Sequence, residues 1–134
     1  MQVTISDDFD LQKIADSGQC FRVRDFDGGM FRFITGSEVL YIRKLSRARY
    51  EAGCPDEAWK RVWVPYFDLE RNYLRIRKAI PASDTYMRLA ARRGRGIRIL
   101  RQDPWETLVT FIISQRKSIP AIVASVEMLA ERFG

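Results

Sequence analysis

The hydrophobic pattern changes its period once along the chain, and this change constrains the fold more than any other feature. From Cys20 to about Arg49, apolar and polar residues alternate with a period of two, with interruptions at Asp27-Gly28-Gly29 and Gly36-Ser37. Short alternating runs between tight turns predict an antiparallel meander. After Cys54-Pro55 the apolar spacing becomes helical. The sequence therefore predicts an α+β chain whose sheet has one face covered by helices and the other partly open.

Helical spacing indicates one helix before the meander and five after it. The first is expected over residues 9–16, ended by Ser17-Gly18. The later ones are expected over residues 57–67, from Asp68-Leu69-Glu70 onwards, from Ser83-Asp84 to near Gly94, from Pro104, and from Ile119 to Phe133. We expect the aromatic residues of the second helix to form core between sheet and helices, namely Trp59, Trp63, Tyr66 and Phe67.

The helix that begins at Pro104 carries the clearest start signal. Asp103 is a good N-cap, proline suits the first helical position, and Glu106 follows the cap by three residues. Apolar residues then fall on nearly every side of the helix, which predicts a position in the centre of the core. The helix ends in a polar and cationic tip at residues 114–118.

Charge favours an anionic partner. The 134 residues contain 23 Lys and Arg against 17 Asp and Glu, a formal charge of +6, which is typical of proteins that meet nucleic acid or an anionic membrane. A solvated basic surface without a ligand is the alternative. Arginine outnumbers lysine, and its bidentate phosphate contacts favour nucleic acid. No apolar run approaches the roughly 18 residues of a membrane span, so no membrane partner is expected.

Cysteine and histidine usage argues against metal and cysteine chemistry. The chain has no histidine, and its two cysteines, Cys20 and Cys54, form no CxxC motif. We therefore expect no metal site, no cofactor and no Cys-His nucleophile. Reduced structural thiols in a cytoplasmic protein are the simplest explanation.

The last helix has a full apolar face, and nothing after Gly134 is given to cover it. That face either folds back on earlier helices or needs a partner outside this chain. We favour the interpretation that the chain is the front part of a longer protein. A further expectation is that the uncovered face drives self-association.

The order of motifs resembles the 8-oxoguanine DNA glycosylases of the helix-hairpin-helix base-excision repair superfamily. The string at residues 96–104, Gly-Ile-Arg-Ile-Leu-Arg-Gln-Asp-Pro, is the most specific. The other matching pieces, in family order, are Phe9-Asp-Leu, Ser17-Gly-Gln-Cys-Phe-Arg22, Tyr66-Phe-Asp-Leu69, Glu106 and Phe111-Ile-Ile-Ser114. The alkylpurine glycosylases share the general plan, so the resemblance specifies the fold better than the damaged base.

The resemblance implies a TATA-binding-protein-like sheet domain over residues 1–95 and the start of a helix-hairpin-helix glycosylase domain over residues 96–134. It implies DNA repair by base flipping, with glycosylase and AP lyase activity on duplex DNA that contains an oxidised or alkylated purine, at the nucleoid. The family's nucleophilic lysine and activating aspartate lie beyond Gly134. We therefore assign no catalytic residue and expect the 134 residues alone to be inactive.

By the same resemblance, two places contact DNA. The carbonyl of Gly18 would accept a hydrogen bond from the N7–H group of the oxidised purine, a group that normal guanine lacks. The alternative is that Gly18 only permits a tight turn. Gln115, Arg116, Lys117 and Ser118 would enter the space left by a flipped base, with glutamine or arginine as the wedge. A simple helix cap with cations near the dipole is the alternative there. The usual enzymes have asparagines in this loop, so an opposite cytosine is not assured.

Other interpretations stay open at this point. The basic strip Arg92, Arg93, Arg95, Arg98 and Arg101 is either a solvated run with partial phosphate contact or is tied in part, at Arg98 and Arg101, to acids of the core. Two functional alternatives remain. One is a hydrolytic alkylpurine glycosylase of the 3-methyladenine type, suggested by Arg116-Lys117. The other is a non-catalytic DNA-binding module.

Overall fold

A five-stranded antiparallel sheet forms the centre of the fold. The computed structural model describes residues 1–133, and the sheet has the order β1-β5-β4-β3-β2. Its strands are β1 Gln2–Thr4, β2 Val23–Phe26, β3 Met30–Thr35, β4 Glu38–Lys44 and β5 Arg49–Ala52. The predicted meander is confirmed as β2–β4. The pattern missed β1 and β5, which pair with each other through Val3 and Tyr50, because runs of three and four residues carry too little alternation.

Helices precede and follow the sheet much as the spacing predicts. Their bounds are α1 Leu11–Ala15, α2 Asp56–Ala58, a π-helical turn Trp59–Trp63, α3 Val64–Tyr66, α4 Tyr73–Lys78, α5 Thr85–Arg93, α6 Pro104–Ser114 and α7 Ile119–Phe133. Asp10, Asp84 and Asp103 cap α1, α5 and α6 by accepting from a backbone N–H three residues on. The predicted α+β class is confirmed.

One face of the sheet and the helices around Trp63 enclose the core. Phe33 is opposite Leu40 in the ladder and Phe31 is opposite Ile42, so alternate residues of β3 and β4 face inward. The rings of Phe33 and Phe67 meet edge to face at 5.1 Å, a geometry worth about 0.5–1.5 kcal/mol beyond area burial. The predicted aromatic core is confirmed, since its four members are buried: Trp59, Trp63, Tyr66 and Phe67.

The prediction that α6 is buried is wrong for the described residues. No residue of α6 is buried, and Trp105, Phe111 and Ile112 are 71%, 63% and 62% exposed. Within residues 1–133 the helix packs against α7, and its Glu106 bonds to Arg22 and Gly36 beside the sheet. A pattern that is apolar all round indicates that a helix needs partners, but not that the partners belong to the same segment.

The predicted helix start at Asp68 is also wrong. Helix α4 begins at Tyr73, and Asn72 caps it by accepting a hydrogen bond from the N–H of Arg75 at 2.7 Å. Asp68 is instead buried in the left-handed region with φ of 51°. Its carboxylate accepts from the Tyr73 hydroxyl at 3.0 Å and pairs with Arg101 at 2.6 Å. These tertiary partners keep the residue out of the helix.

Candidate nucleic-acid interface

The turn at Gly18 is held open towards solvent. Gly18 has φ of +74°, and nothing lies within 4 Å of the place a Cβ would occupy. The Ser17 hydroxyl donates to the Ile14 carbonyl at 2.7 Å and closes α1 before the turn. Among residues 1–133, no donor is bound to the carbonyl of Gly18. The predicted turn is therefore present, and its carbonyl is available to a ligand.

Gln19 fixes this turn to the segment that contains the family-specific string. Its side-chain amide donates to the Arg98 carbonyl at 2.9 Å and accepts from the N–H of Leu100 at 3.0 Å. The Gln102 amide in turn donates to the Gln19 carbonyl. Because both partners of each bond are partly buried, solvent cannot easily replace them. The position of Gly18 thus depends on residues about 80 positions further along the chain.

Cys20 begins the strand side of the turn and is a structural thiol. It is buried and accepts a hydrogen bond from the Tyr66 hydroxyl at 3.3 Å. Burial raises the pKa of the Cys20 thiol and raises the pKa of Tyr66 far above its ordinary value. Both groups therefore stay protonated at neutral pH. Cys54 is free and half-buried, and burial raises its pKa too.

Arg98 is a fully buried cation, so this part of the basic strip is not solvated. Its guanidinium donates to the carbonyls of Phe67, Asp8, Asp68 and Arg71 and to the Asp7 carboxylate at 2.9 Å. It also stacks 3.9 Å from the centre of the Tyr73 ring. The fork of five N–H donors matches these five acceptors, which no lysine would do.

Other members of the strip are divided between ion pairs and solvent. Arg101 pairs with Asp68 at 2.6 Å and Arg95 pairs with Asp8 at 2.9 Å. The structure thus supports the alternative in which Arg98 and Arg101 are tied to core acids, and it corrects the solvated interpretation for them. In the described part of the chain, Arg92 and Arg93 form no ion pair.

Ion pairs attach α6 and α7 to one face of the sheet. Glu106 of α6 accepts from Arg22 at 2.7 Å and from the N–H of Gly36 at 3.1 Å. Glu127 of α7 pairs with Arg24 at 3.4 Å and Arg32 at 3.5 Å. The three arginines share a face, because Arg24 is opposite Arg32 in the ladder and Arg22 is two residues from Arg24. Glu106 therefore attaches α6 to the sheet, in addition to lying in the first turn of its helix.

The loop between the two helices is exposed. Arg116 has φ of +55° in the left-handed region, and Lys117 reaches the Ser125 hydroxyl at 3.3 Å. The Gln115 amide donates to the Phe111 carbonyl at 3.3 Å. All four predicted residues, Gln115 to Ser118, are exposed. Such a reversal presents several polar side chains at the tip of the helix pair.

A concavity of about 260 Å³ lies between the Gly18 turn and the start of α7. Gly18, Cys20 and Phe21 line one side of it, and Ile119 and Val123 of α7 line the other. The structure thus brings Gly18 next to the residue that follows the loop. The side chains of residues 115–118 do not line this concavity.

Comparison with known proteins identifies the family. The model of the 8-oxoguanine DNA glycosylase N-terminal domain matches residues 2–108. This chain belongs to that family. The match includes the Gly18 turn, the Arg98 segment and the start of α6, and it ends before the candidate loop at residues 115–118. The glycosylase resemblance seen in the motifs is therefore confirmed.

Relatives of the glycosylase domain are longer than this chain. The yeast Saccharomyces cerevisiae N-glycosylase/DNA lyase is 35% identical over 80 residues, which are 58% of this chain and 20% of the yeast protein. The apo 8-oxoguanine glycosylase/lyase of Clostridium acetobutylicum has a TM-score of 0.91 at 36% identity, with 99% of this chain and 46% of that one covered. Its complex with double-stranded DNA containing cytosine opposite 8-oxoG has a TM-score of 0.87 at 34% identity, with coverage of 100% and 49%.

The alkylpurine alternative has fold-level support alone. The 3-methyladenine DNA glycosylase of Archaeoglobus fulgidus has a TM-score of 0.70 at 16% identity, covering 100% of this chain and 51% of that one. This likeness shows the shared architecture. Within residues 1–133, no three potential metal-ligating side chains come together. None of the helices described there combines the length and the hydropathy that a membrane span requires.

Two features of the candidate site go beyond what the sequence predicts. The first is the complete burial of Arg98, whose link to core acids was one of two alternatives and whose nearest signal is an aspartate inside an otherwise aromatic and apolar run, Tyr66-Phe-Asp-Leu69. The second is the attachment of α7 through Glu127. A single glutamate on an amphipathic helix gives no signal for such a pairing.

Proposed function

We propose that the protein carrying this chain is a DNA glycosylase and AP lyase that excises 8-oxoguanine from duplex DNA in the cytoplasm. The match of the family's N-terminal domain over residues 2–108 carries the proposal. The names of the yeast and Clostridium relatives support it. We propose, from the family resemblance, that the nucleophilic lysine and the activating aspartate lie outside residues 1–134, and we expect no base release from these residues alone.

In this proposal Gly18 reads the lesion. Its carbonyl is without a protein donor and lies at the rim of the concavity shared with α7. An oxidised purine brings an N7 hydrogen that this carbonyl can accept, whereas normal guanine brings a lone pair. If a bound base buries this acceptor and leaves it unpaired, the cost is about 1–3 kcal/mol, which corresponds to about 5- to 150-fold in discrimination.

The loop at residues 115–118 then opens the duplex. Gln115 and Arg116 are exposed at a tight reversal, and the concavity at Gly18 begins just beyond it, at Ile119. A side chain that fills the space of the flipped base offsets part of an extrusion cost of a few kcal/mol. Lys117 is no candidate for the nucleophile, because a reactive lysine needs a desolvated or strongly cationic site and this side chain is exposed.

The chemistry is tested with the protein expressed from its complete gene. We expect release of 8-oxoguanine from a duplex and covalent trapping by borohydride, which reduces the Schiff base between a lysine amine and the sugar. Base release without trapping would support the hydrolytic alkylpurine alternative, especially if 3-methyladenine is the better substrate. Loss of both signals would leave only a DNA-binding module.

The wedge is tested by changing the substrate as well as the side chain. Gln115→Ala and Arg116→Ala should each slow excision from a fully paired duplex. The same variants should have a much smaller effect when the lesion is in a single strand, because a base outside a duplex costs least to extrude. An equal loss on both substrates would show that the loop acts otherwise than by opening the duplex.

A further inference from the structure

The net positive charge of this chain comes from one segment. Residues 71–101, which contain α4, α5 and the Arg98 segment, carry ten Lys and Arg and a single acid, Asp84. The remaining residues carry thirteen cations against sixteen acids and are therefore net negative. The overall charge of +6 thus reflects one local concentration of cations rather than a generally basic surface.

Half of these ten cations already form ion pairs. Arg71, Arg77, Arg95, Arg98 and Arg101 form ion pairs with three aspartates, Asp7, Asp8 and Asp68. The other five have no acid within 4.0 Å in the part of the chain that the structure describes: Arg75, Lys78, Arg88, Arg92 and Arg93. Among the five are three that come together from two different helices.

Lys78, Arg88 and Arg92 line one concavity of about 320 Å³ between α4 and α5. The paired Arg77 and the apolar Ile80 and Ala91 complete its wall, and no acid lines it. We call this the α4–α5 cationic pocket. It shares no residue with the concavity at Gly18, so the two are separate places on the surface.

Helix capping does not explain the pocket fully. Lys78 and Arg92 are in the last turns of their helices, where cations complement the dipole. Arg88 is in the middle of α5, four residues before Arg92, and like charges at this spacing destabilise a helix. An anion between α4 and α5 would relieve this repulsion and would engage cations from both helices.

We propose that the α4–α5 cationic pocket binds the phosphodiester backbone of DNA, as a contact additional to the lesion-reading turn and the wedge loop. Arginine forms bidentate hydrogen bonds with phosphate oxygens, and a cluster without acids attracts a polyanion of any sequence. The inference rests on the proposed function, because it takes duplex DNA as the partner. The pocket adds affinity for undamaged flanking DNA and takes no part in base excision.

The test measures how the affinity for duplex DNA depends on salt concentration, in the protein expressed from its complete gene. The variant K78Q/R88Q/R92Q removes the unpaired cations of the pocket. The matched control K44Q/R47Q/R49Q removes the same charge from the β4–β5 hairpin, where the three side chains are exposed and, in the described residues, have no acid within 4.0 Å. Each phosphate contact contributes about 0.9 to the slope of log K against log salt. We therefore expect the pocket variant to lower that slope by about 2–3 on undamaged duplex and to bind about tenfold or more weakly near 0.1 M salt.

Three comparisons decide the outcome. The proposal is overturned if the pocket variant keeps the wild-type slope, or if the control loses as much as the pocket variant. The charge-conserving K78R/R88K/R92K variant should retain the wild-type slope, and a loss there would also count against phosphate binding. Release of 8-oxoguanine from a saturated short duplex should be unchanged in the pocket variant. Wild-type protein that binds DNA through the pocket but releases no 8-oxoguanine would refute the proposed function and leave this inference standing.

Discussion

Gly96 is the position where this fold leaves no room for a side chain. Its φ is +96°, and a Cβ there would be 2.5 Å from the Cβ of Asp10 and 3.3 Å from its backbone nitrogen. Asp10 cannot easily retreat, because it donates its N–H to the Gly96 carbonyl at 2.9 Å and caps α1 by accepting from Lys13 at 3.1 Å. The variant Gly96→Ala should therefore strain the backbone and displace a helix cap together.

The magnitude follows from these two effects. An L-residue in this region of φ costs about 1–3 kcal/mol. Displacement of Asp10 adds the lost backbone hydrogen bond, about 1 kcal/mol, and the lost cap, about 1 kcal/mol. Gly96→Ala should therefore lower the free energy of unfolding by about 3–5 kcal/mol. Gly28→Ala is the matched control, since φ is +81° there and the space around its Cβ position is open.

Urea unfolding of the two variants separates close approach from backbone strain. The control should lose the strain contribution alone, so the variants should differ by about 2 kcal/mol. For a slope of about 2 kcal/mol per M, that difference moves the urea midpoint by about 1 M. Equal midpoints for Gly96→Ala and Gly28→Ala would refute the argument that Asp10 excludes a side chain at residue 96.

Three further outcomes are expected. Arg98→Lys leaves at least two of the five buried or partly buried acceptors without a donor and should lower the free energy of unfolding by about 2–4 kcal/mol in the same urea assay. Burial raises the pKa of Asp7, but hydrogen bonds from Asp8, Tyr73, Leu74 and Arg98 outweigh it and hold the pKa below 3.8. Asp7 therefore stabilises the fold above its unfolded pKa of about 3.9, and this contribution is lost as pH falls through the lower folded value. The advantage of wild type over Asp7→Asn in the free energy of urea unfolding should consequently be full at neutral pH and shrink as pH falls below about 4; an advantage that does not change with pH would refute this reasoning. Light scattering of the 134-residue chain should show a mass that grows with concentration, less so in Phe133→Ser, because that ring is 82% exposed.

The sheet and most helices could be predicted because their signals are local. Alternation in β2–β4 and the caps at Asp10, Asp84 and Asp103 each depend on residues only a few positions apart. The meander, its turns and the helix starts follow from these signals. The short outer strands do not, since a three-residue run such as β1 fits any conformation.

The errors concern residues whose conformation is decided by distant partners. The sequence around Asp68 predicts a helix start, but the Asp68 carboxylate forms an ion pair with Arg101, 33 positions later. Arg98 resembles a surface cation, yet its partner Asp7 is 91 positions away. The apolar surface of α6 was expected inside the core, and the described residues do not cover it. The division between residues 95 and 96, and the roles of Gly18 and of residues 115–118, stay predictions.

The clamp between Gln19 and residues 98–102 has a consequence for how lesion preference can evolve. The backbone that presents Gly18 is built into the same hydrogen-bonded seam that supports the folded chain. A mutation that reshapes this turn would therefore lower the amount of folded protein and, under the proposed function, would alter its selectivity as well. The loop at residues 115–118 is not constrained in this way, because within residues 1–133 its side chains bond only to neighbouring residues of their own helix pair. We expect natural variation in opposite-base choice to accumulate in that loop, while the Gly18 turn stays constant across enzymes that differ in specificity.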